Sequence, residues 1–156
     1  MHSLYFVIIK QEAKNSQEAR RIAENVLLEE NFCSSGFWGC GKGDWFNIGG
    51  SWSGILQLTK LGIDAQKFEE LSGEEQQRCW EKKGGTGLCP CSKRGILAVE
   101  YEDDAILVDK PFYEKLLKNF PDVEVFDAVN YREDMLADFD PKDIIGRWII
   151  AIDYHS

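Results

Sequence analysis

With 156 residues, 44% hydrophobic and 12% aromatic, the chain is long and apolar enough to build one domain, residues 1–156, around its own core; that composition excludes a disordered polymer. Its formal net charge of −9 resides between residues 100 and 143, where 14 acids stand against 5 bases, so direct binding to a nucleic-acid backbone is not expected. The longest apolar run, Leu4 to Ile9, is too short to span a bilayer and follows no basic segment, so neither a membrane helix nor a secretion signal is expected, and the expected location is the cytoplasm.

Leu4-Tyr-Phe-Val-Ile-Ile9 is β-branched and aromatic, the composition of a buried first strand. Asn15 then stands as a helix N-cap, with Glu18 three residues on to close a capping box. Ala19, Ile22, Ala23, Val26 and Leu27 follow at helical spacing, and the helix should end near Asn31. Residues 33–43 form a glycine-rich loop.

The stretch Asp44–Gly54, DWFNIGGSWSG, comes next. Gly49-Gly50 between two aromatic segments is a two-residue hairpin signal, because a type I′ turn needs positive φ at both central positions. In that register Asn47 faces Trp52 and Trp45 faces Gly54. Trp45, Asn47, Trp52, Leu56 and Leu58 then share one face, and Phe46, Ile48, Ser51 and Ser53 the other.

Asp64 or Ser72 can cap the next, mostly polar helical piece, which stops at Gly84-Gly85; Ser72 with Glu75 is a second capping box. Another glycine-rich loop, residues 84–95, leads into a hairpin of residues 96–101 and 105–109 around the acidic turn Glu102-Asp103-Asp104. Pro111 suits the first turn of a helix running to about Asn119. Residues 123–129 read as a strand, 131–138 as a short helix, and 148–154 as the last strand. This order predicts an α+β domain: a largely antiparallel sheet with helices on one face, a ferredoxin-like core with extra strands. In that topology the first and last strands are antiparallel neighbours.

Three places carry chemistry. The first is the hairpin, with Asp44, Trp45, Asn47, Gly49, Gly50, Ser51 and Trp52 as candidate ligand-binding residues. Glycines let a ligand approach the backbone and tryptophans supply a flat apolar wall, although the same side chains also serve as ordinary core. The second is the cysteines. Cys33 and Cys40 lie in one glycine-rich loop, Cys89 and Cys91 in the other, as in zinc knuckles, where tight turns aim sulfurs at one ion; the spacing departs from the usual C-x2-C pairs. Zinc is therefore a candidate cofactor, against ordinary reduced thiols, and Lys93 and Arg94 would favour a nucleophilic thiolate at Cys89 or Cys91. The third is the pair of histidines, His2 and His155, with Asp153 two residues before the latter; paired end strands would bring them within reach of one another. The acidic runs lack the glycine and closing glutamate of an EF-hand and read as turn and cap chemistry, and no P-loop, dinucleotide fingerprint, H-E-x-x-H or G-x-S-x-G motif occurs.

The hairpin, taken with the two chain ends, resembles a group of small uncharacterised proteins found in phages and prophages. Their pattern is a short first strand, an acid-aromatic-aromatic-x-Ile-Gly-Gly-Arg-Trp-x-Gly segment and a last strand ending in Asp-x-His. The matching residues are Leu4–Ile9, Asp44–Gly54 and Asp153-Tyr154-His155, 20 of 156; Ser51 stands where those proteins usually carry arginine. The resemblance implies a mobile-element setting and no mechanism.

Two functions follow as expectations. One is a non-enzymatic binding or interaction protein, with the Gly-Gly/Trp hairpin as its site and the acidic half facing a protein with a basic surface, or with a small polar molecule as ligand. The other is a small metal- or thiol-dependent enzyme using the cysteine loops or the His/Asp cluster at the chain ends.

Overall fold

The structure, a computed structural model, describes residues 2–29, 45–90 and 105–155. Its strands are β1 (His2–Ile9), β2 (Trp45–Ile48), β3 (Ala105–Leu107), β4 (Glu124–Asp127), β5 (Arg132–Met135) and β6 (Trp148–His155). Its helices are α1 (Ser16–Glu29), α2 (Ile55–Lys60), α3 (Ala65–Glu70), α4 (Gly73–Lys82), α5 (Lys110–Asn119) and α6 (Pro141–Ile144). Single 3-10 turns occupy Gly50–Trp52 and Leu136–Asp138.

All six strands form one mixed sheet, ordered β2-β6-β1-β4-β5, with β3 also pairing β6. The architecture is α+β, and the antiparallel pairing of first and last strands is present along their whole length. Among the described strands β1 and β4 alone pair in parallel. The ferredoxin-like expectation carries no further than that first pair, because the strand lying parallel to β1 opens the β4–β5 hairpin instead of closing it.

Helices cover both faces of the sheet, which corrects the expectation of one covered face. β1 explains why. Its residues are apolar on both sides of the pleat: Tyr5, Val7 and Ile9 pack with Ala19, Ala23 and Leu27 of α1. Phe6 and Ile8 pack on the other side with Ile55 and Leu56 of α2 and Phe112, Tyr113 and Leu116 of α5. β6 divides in the same way, Ile150 and Ile152 against Ile149 and Ala151. A strand without a polar face must be buried twice.

Local side-chain chemistry sets the helix starts. Asn15 accepts the amide of Glu18 at 2.9 Å, Asp64 caps α3, and Ser72 with Glu75 completes a capping box on α4. Asp109 caps α5 ahead of Pro111, and Asp140 caps α6. The polar α3–α4 segment also closes a small third core, in which Leu58, Ile63, Phe68, Trp80 and Cys89 are buried together.

Two elements differ from their sequence reading. Residues 131–138 hold the edge strand β5 and one 3-10 turn, not a helix. Residues 51–58 hold a 3-10 turn and the start of α2, so the expected hairpin does not form; β2 pairs with β6 instead. The first half of the other expected hairpin, 96–101, lies outside the described residues, while its second half is β3, also paired to β6.

Candidate functional site

β6 ends in the middle of the sheet, flanked on one side by the start of β1 and on the other by β2. The register places His2 opposite His155 and Leu4 opposite Asp153. It also places Trp45 opposite His155 and Asn47 opposite Asp153. Strand periodicity puts Leu4 and Asp153 on the sheet face that α2 and α5 cover.

Asp153 is 2% exposed, a carboxylate at the end of the otherwise apolar run Ile149-Ile150-Ala151-Ile152. The chain turns directly over it. The amide of Gly49 donates to the carbonyl of Ala151 at 2.8 Å, which extends the β2–β6 ladder by one step. Gly49 then adopts φ 73° and Gly50 φ 53°, conformations that side-chain-bearing residues rarely enter. The amides of Trp52 and Ser53 close the turn on the carbonyls of Gly49 and Gly50, at 2.9 and 3.2 Å. A Cβ on Gly50 would stand 2.5 Å from Oδ2 and 2.6 Å from Cβ of Asp153, so glycine is required by contact as well as by conformation.

Trp52 leaves this turn half-buried and packs against the α2/α5 core, as does Leu4. Gly54 follows at φ 82° and starts α2, and a Cβ there would run into the ring of Pro90. The segment carrying Cys89 is thus brought against the Gly49–Gly54 turn.

Positive φ at both Gly49 and Gly50 agrees with the sequence reading; the hairpin pairing of Asn47 with Trp52 and Trp45 with Gly54 does not occur. Trp45 and Asn47 take their positions from β6, and Gly49, Gly50, Ser51 and Trp52 from the turn. Asp44, Cys33, Cys40 and Cys91 lie outside the described residues. Cys89 is 4% exposed, its amide donating to Oε1 of Gln77 at 2.9 Å. Packed in the third core, it behaves as a small apolar side chain. Among the described side chains no group of three His, Cys, Asp or Glu is arranged to hold a metal ion.

A second buried acid escaped the sequence reading. Asp127, 1% exposed at the end of β4, accepts the amides of Val129 and Asn130 at 2.8 and 3.1 Å on Oδ1 and the Asn130 side-chain amide at 2.9 Å on Oδ2. Arg147 Nη1 lies 3.8 Å from the same Oδ1. The signal was an acid closing the apolar run Val125-Phe126 three residues before an asparagine. This Asx-type turn fixes the β4–β5 connection at the opposite end of β1, and its hydrogen bonds account for the burial.

The acidic stretch is partly pinned by the fold. Arg132 donates to Asp134 Oδ2 at 2.8 Å and to the Asp138 carbonyl at 2.9 Å, and its guanidinium lies 4.5 Å from the Phe139 ring centroid. The hydrogen bond from Arg132, with one from the Met135 amide, holds the Asp134 carboxyl below its usual range. Among the described residues no helix is long and apolar enough to cross a membrane. Comparison with protein-family models, with curated proteins and with solved structures finds no match to this chain.

Proposed function

We propose that the chain is a binding or interaction protein whose ligand site is the corner where the Gly49–Trp52 turn closes over Asp153. One observation carries the reading: the turn and the buried acid are fitted to each other, with a half-exposed tryptophan beside them. An acid closing the apolar run Ile149–Ile152 is not the residue that packing alone would select. Trp52 and Leu4 supply the apolar wall, the turn supplies closely approachable backbone, and a small polar molecule is the ligand class such a corner fits. The charge of the acidic stretch 100–143 suits a basic protein partner, and the resemblance of the segment Asp44–Gly54 to phage proteins supports a mobile-element setting.

The test is a thermal-shift and tryptophan-fluorescence screen of the intact protein against small polar molecules, repeated with Trp52→Ala. The expected result is a ligand that raises the wild-type melting temperature and leaves a folded Trp52→Ala protein unmoved. A ligand whose effect survives both Trp52→Ala and Ser51→Ala would place the site elsewhere.

A further inference from the structure

We propose that one face of the β4–β5 hairpin is the contact surface for a protein partner, and that its occupant is a segment interleaving basic and apolar side chains. This rests on the reading of the chain as an interaction protein and gives the partner its own surface, on the side of the sheet opposite Asp153. In the β4–β5 register Phe126 stands opposite Glu133 and Glu124 opposite Met135, so these four side chains share a face. It is the α1 side of the sheet, because Phe126 belongs to the core that α1 closes. The helix itself packs across β1, β3 and β6. Beyond it Met135 is 47% and Tyr131 67% exposed, and the Tyr131 ring meets Phe126 edge-on with 6.4 Å between centroids. Apolar and acidic side chains therefore alternate over an open face two strands wide.

The turn holds Tyr131 in place. Asp127 takes the amides of Val129 and Asn130, and Tyr131 follows at φ 53°, the one positive φ outside glycine among the described residues. A bulky side chain rarely adopts that conformation, and here it carries an aromatic ring out of the core. An aromatic on a fixed turn loses little freedom when a partner covers it, as contact hot spots do. Charge selects the occupant. Residues 121–143 carry eight acids against two bases, and each base meets a neighbouring acid, Arg132 with Asp134 at 2.8 Å and Lys142 with Asp140 at 3.8 Å. A second copy would set acid against acid, and a nucleic-acid backbone or an anionic membrane would be repelled. Lysine and arginine heads suit the acids while their stems cover Met135 and Tyr131, and a guanidinium over the Tyr131 ring gains a cation–π contact.

The experiment is selection of a displayed random-peptide library on the intact protein, followed by fluorescence anisotropy of the recovered peptides. They should interleave lysine or arginine with apolar residues and bind more weakly as salt rises. The double variant Tyr131→Asn/Met135→Ala should lose roughly tenfold or more in affinity with unchanged circular dichroism, since both positions are exposed and asparagine tolerates the positive φ. Leu88→Ala, at an exposed apolar residue elsewhere, should bind as wild type. Peptides without basic residues, peptides indifferent to the double variant, or no enrichment overturn the proposal. So does a wild-type dimer in sedimentation that the double variant dissociates, which would give the face to a second copy. Binding should survive Trp52→Ala; peptides that need Trp52 and not Tyr131 would overturn this surface and support the Gly49–Trp52 corner. A small molecule lost with Trp52 and no recovered peptide would leave that corner standing without this surface.

Discussion

Replacing Gly50 with alanine probes the contact on which the candidate site depends. Two effects act together. Gly50 has φ 53°, and an L-residue held in that left-handed region costs about 1–2 kcal/mol. The new Cβ would also stand 2.5 Å from Oδ2, 2.6 Å from Cβ and 2.9 Å from Cγ of Asp153. The Asp153 Cβ belongs to a strand paired on both sides and cannot swing away as a flexible side-chain tip would, so relief requires the turn to lift, at about 1–3 kcal/mol for an overpacked site. The expected loss is therefore roughly 2–5 kcal/mol. Gly62 separates the two effects: its φ is 76°, and a Cβ there would meet nothing within 4 Å. Gly62→Ala should lose only the conformational part. Urea unfolding of both variants, read by circular dichroism and tryptophan fluorescence, measures the difference. If Gly50→Ala and Gly62→Ala lose the same stability within about 0.5 kcal/mol, the resolution expected of unrelated surface changes, the turn does not press on Asp153 and the site geometry is wrong.

Asp127→Ala strands the amides of Val129 and Asn130 and removes the acid facing Arg147, so it should cost roughly 2–4 kcal/mol in urea unfolding. Asp127→Asn keeps an acceptor oxygen and should lose less than half of that; equal losses would mean that charge, not the turn, is what Asp127 supplies. Ser72→Ala opens the α4 capping box and should cost about 1 kcal/mol, with the loss of helix signal confined to that segment by hydrogen exchange. Tyr5 is fully buried, and burial, then Glu124 and Tyr154, hold its hydroxyl above its ordinary value near 10. The stability this contributes is complete below about pH 10 and is lost as pH rises beyond it, because the unfolded chain releases the proton while the folded chain keeps it, with a slope approaching 1.4 kcal/mol per pH unit. Tyr5→Phe should remove that slope from unfolding curves taken at rising alkaline pH, and parallel curves for the two proteins would refute it.

Helix starts were legible in the sequence because a cap is a contact across three residues: Asn15 with Glu18 and Ser72 with Glu75. The Gly49-Gly50 pair was legible only in part. It announced two positive φ angles, and both are present, but Gly49 has ψ −75° and the chain continues into a 3-10 turn and α2. The residues that decide this are distant ones, since β2 finds its partner in β6 about a hundred residues later, and no local spacing reports that. The buried set Ile55, Leu56, Leu58 and Thr59 follows helical spacing, yet Leu56 and Leu58 alone also satisfy strand alternation. Arg132-Glu133-Asp134-Met135 looked helical because it lacks an apolar face. Among the described strands it pairs with β4 alone and lies at the sheet edge, where it needs none, and charges along an edge discourage pairing with other chains.

The glycine pair and the acid near the end of the chain stand far apart in sequence, and the end of β6 brings them together: β2 pairs there and the glycine turn presses on Asp153. What separates a functional corner from a merely packed one is the reason for keeping an acid at position 153. Asp153→Asn tests it by removing the charge while keeping the size and one acceptor oxygen. If the carboxylate serves chiefly to hold the turn, the amide should cost roughly 1–3 kcal/mol, the loss expected for a charge-assisted bond. If it is kept for a ligand, the variant should lose ligand binding with little loss of stability, as is common where activity and stability are traded. The site reading predicts the second outcome. A variant destabilised by more than about 2 kcal/mol that still binds the ligand would make Asp153 a structural acid.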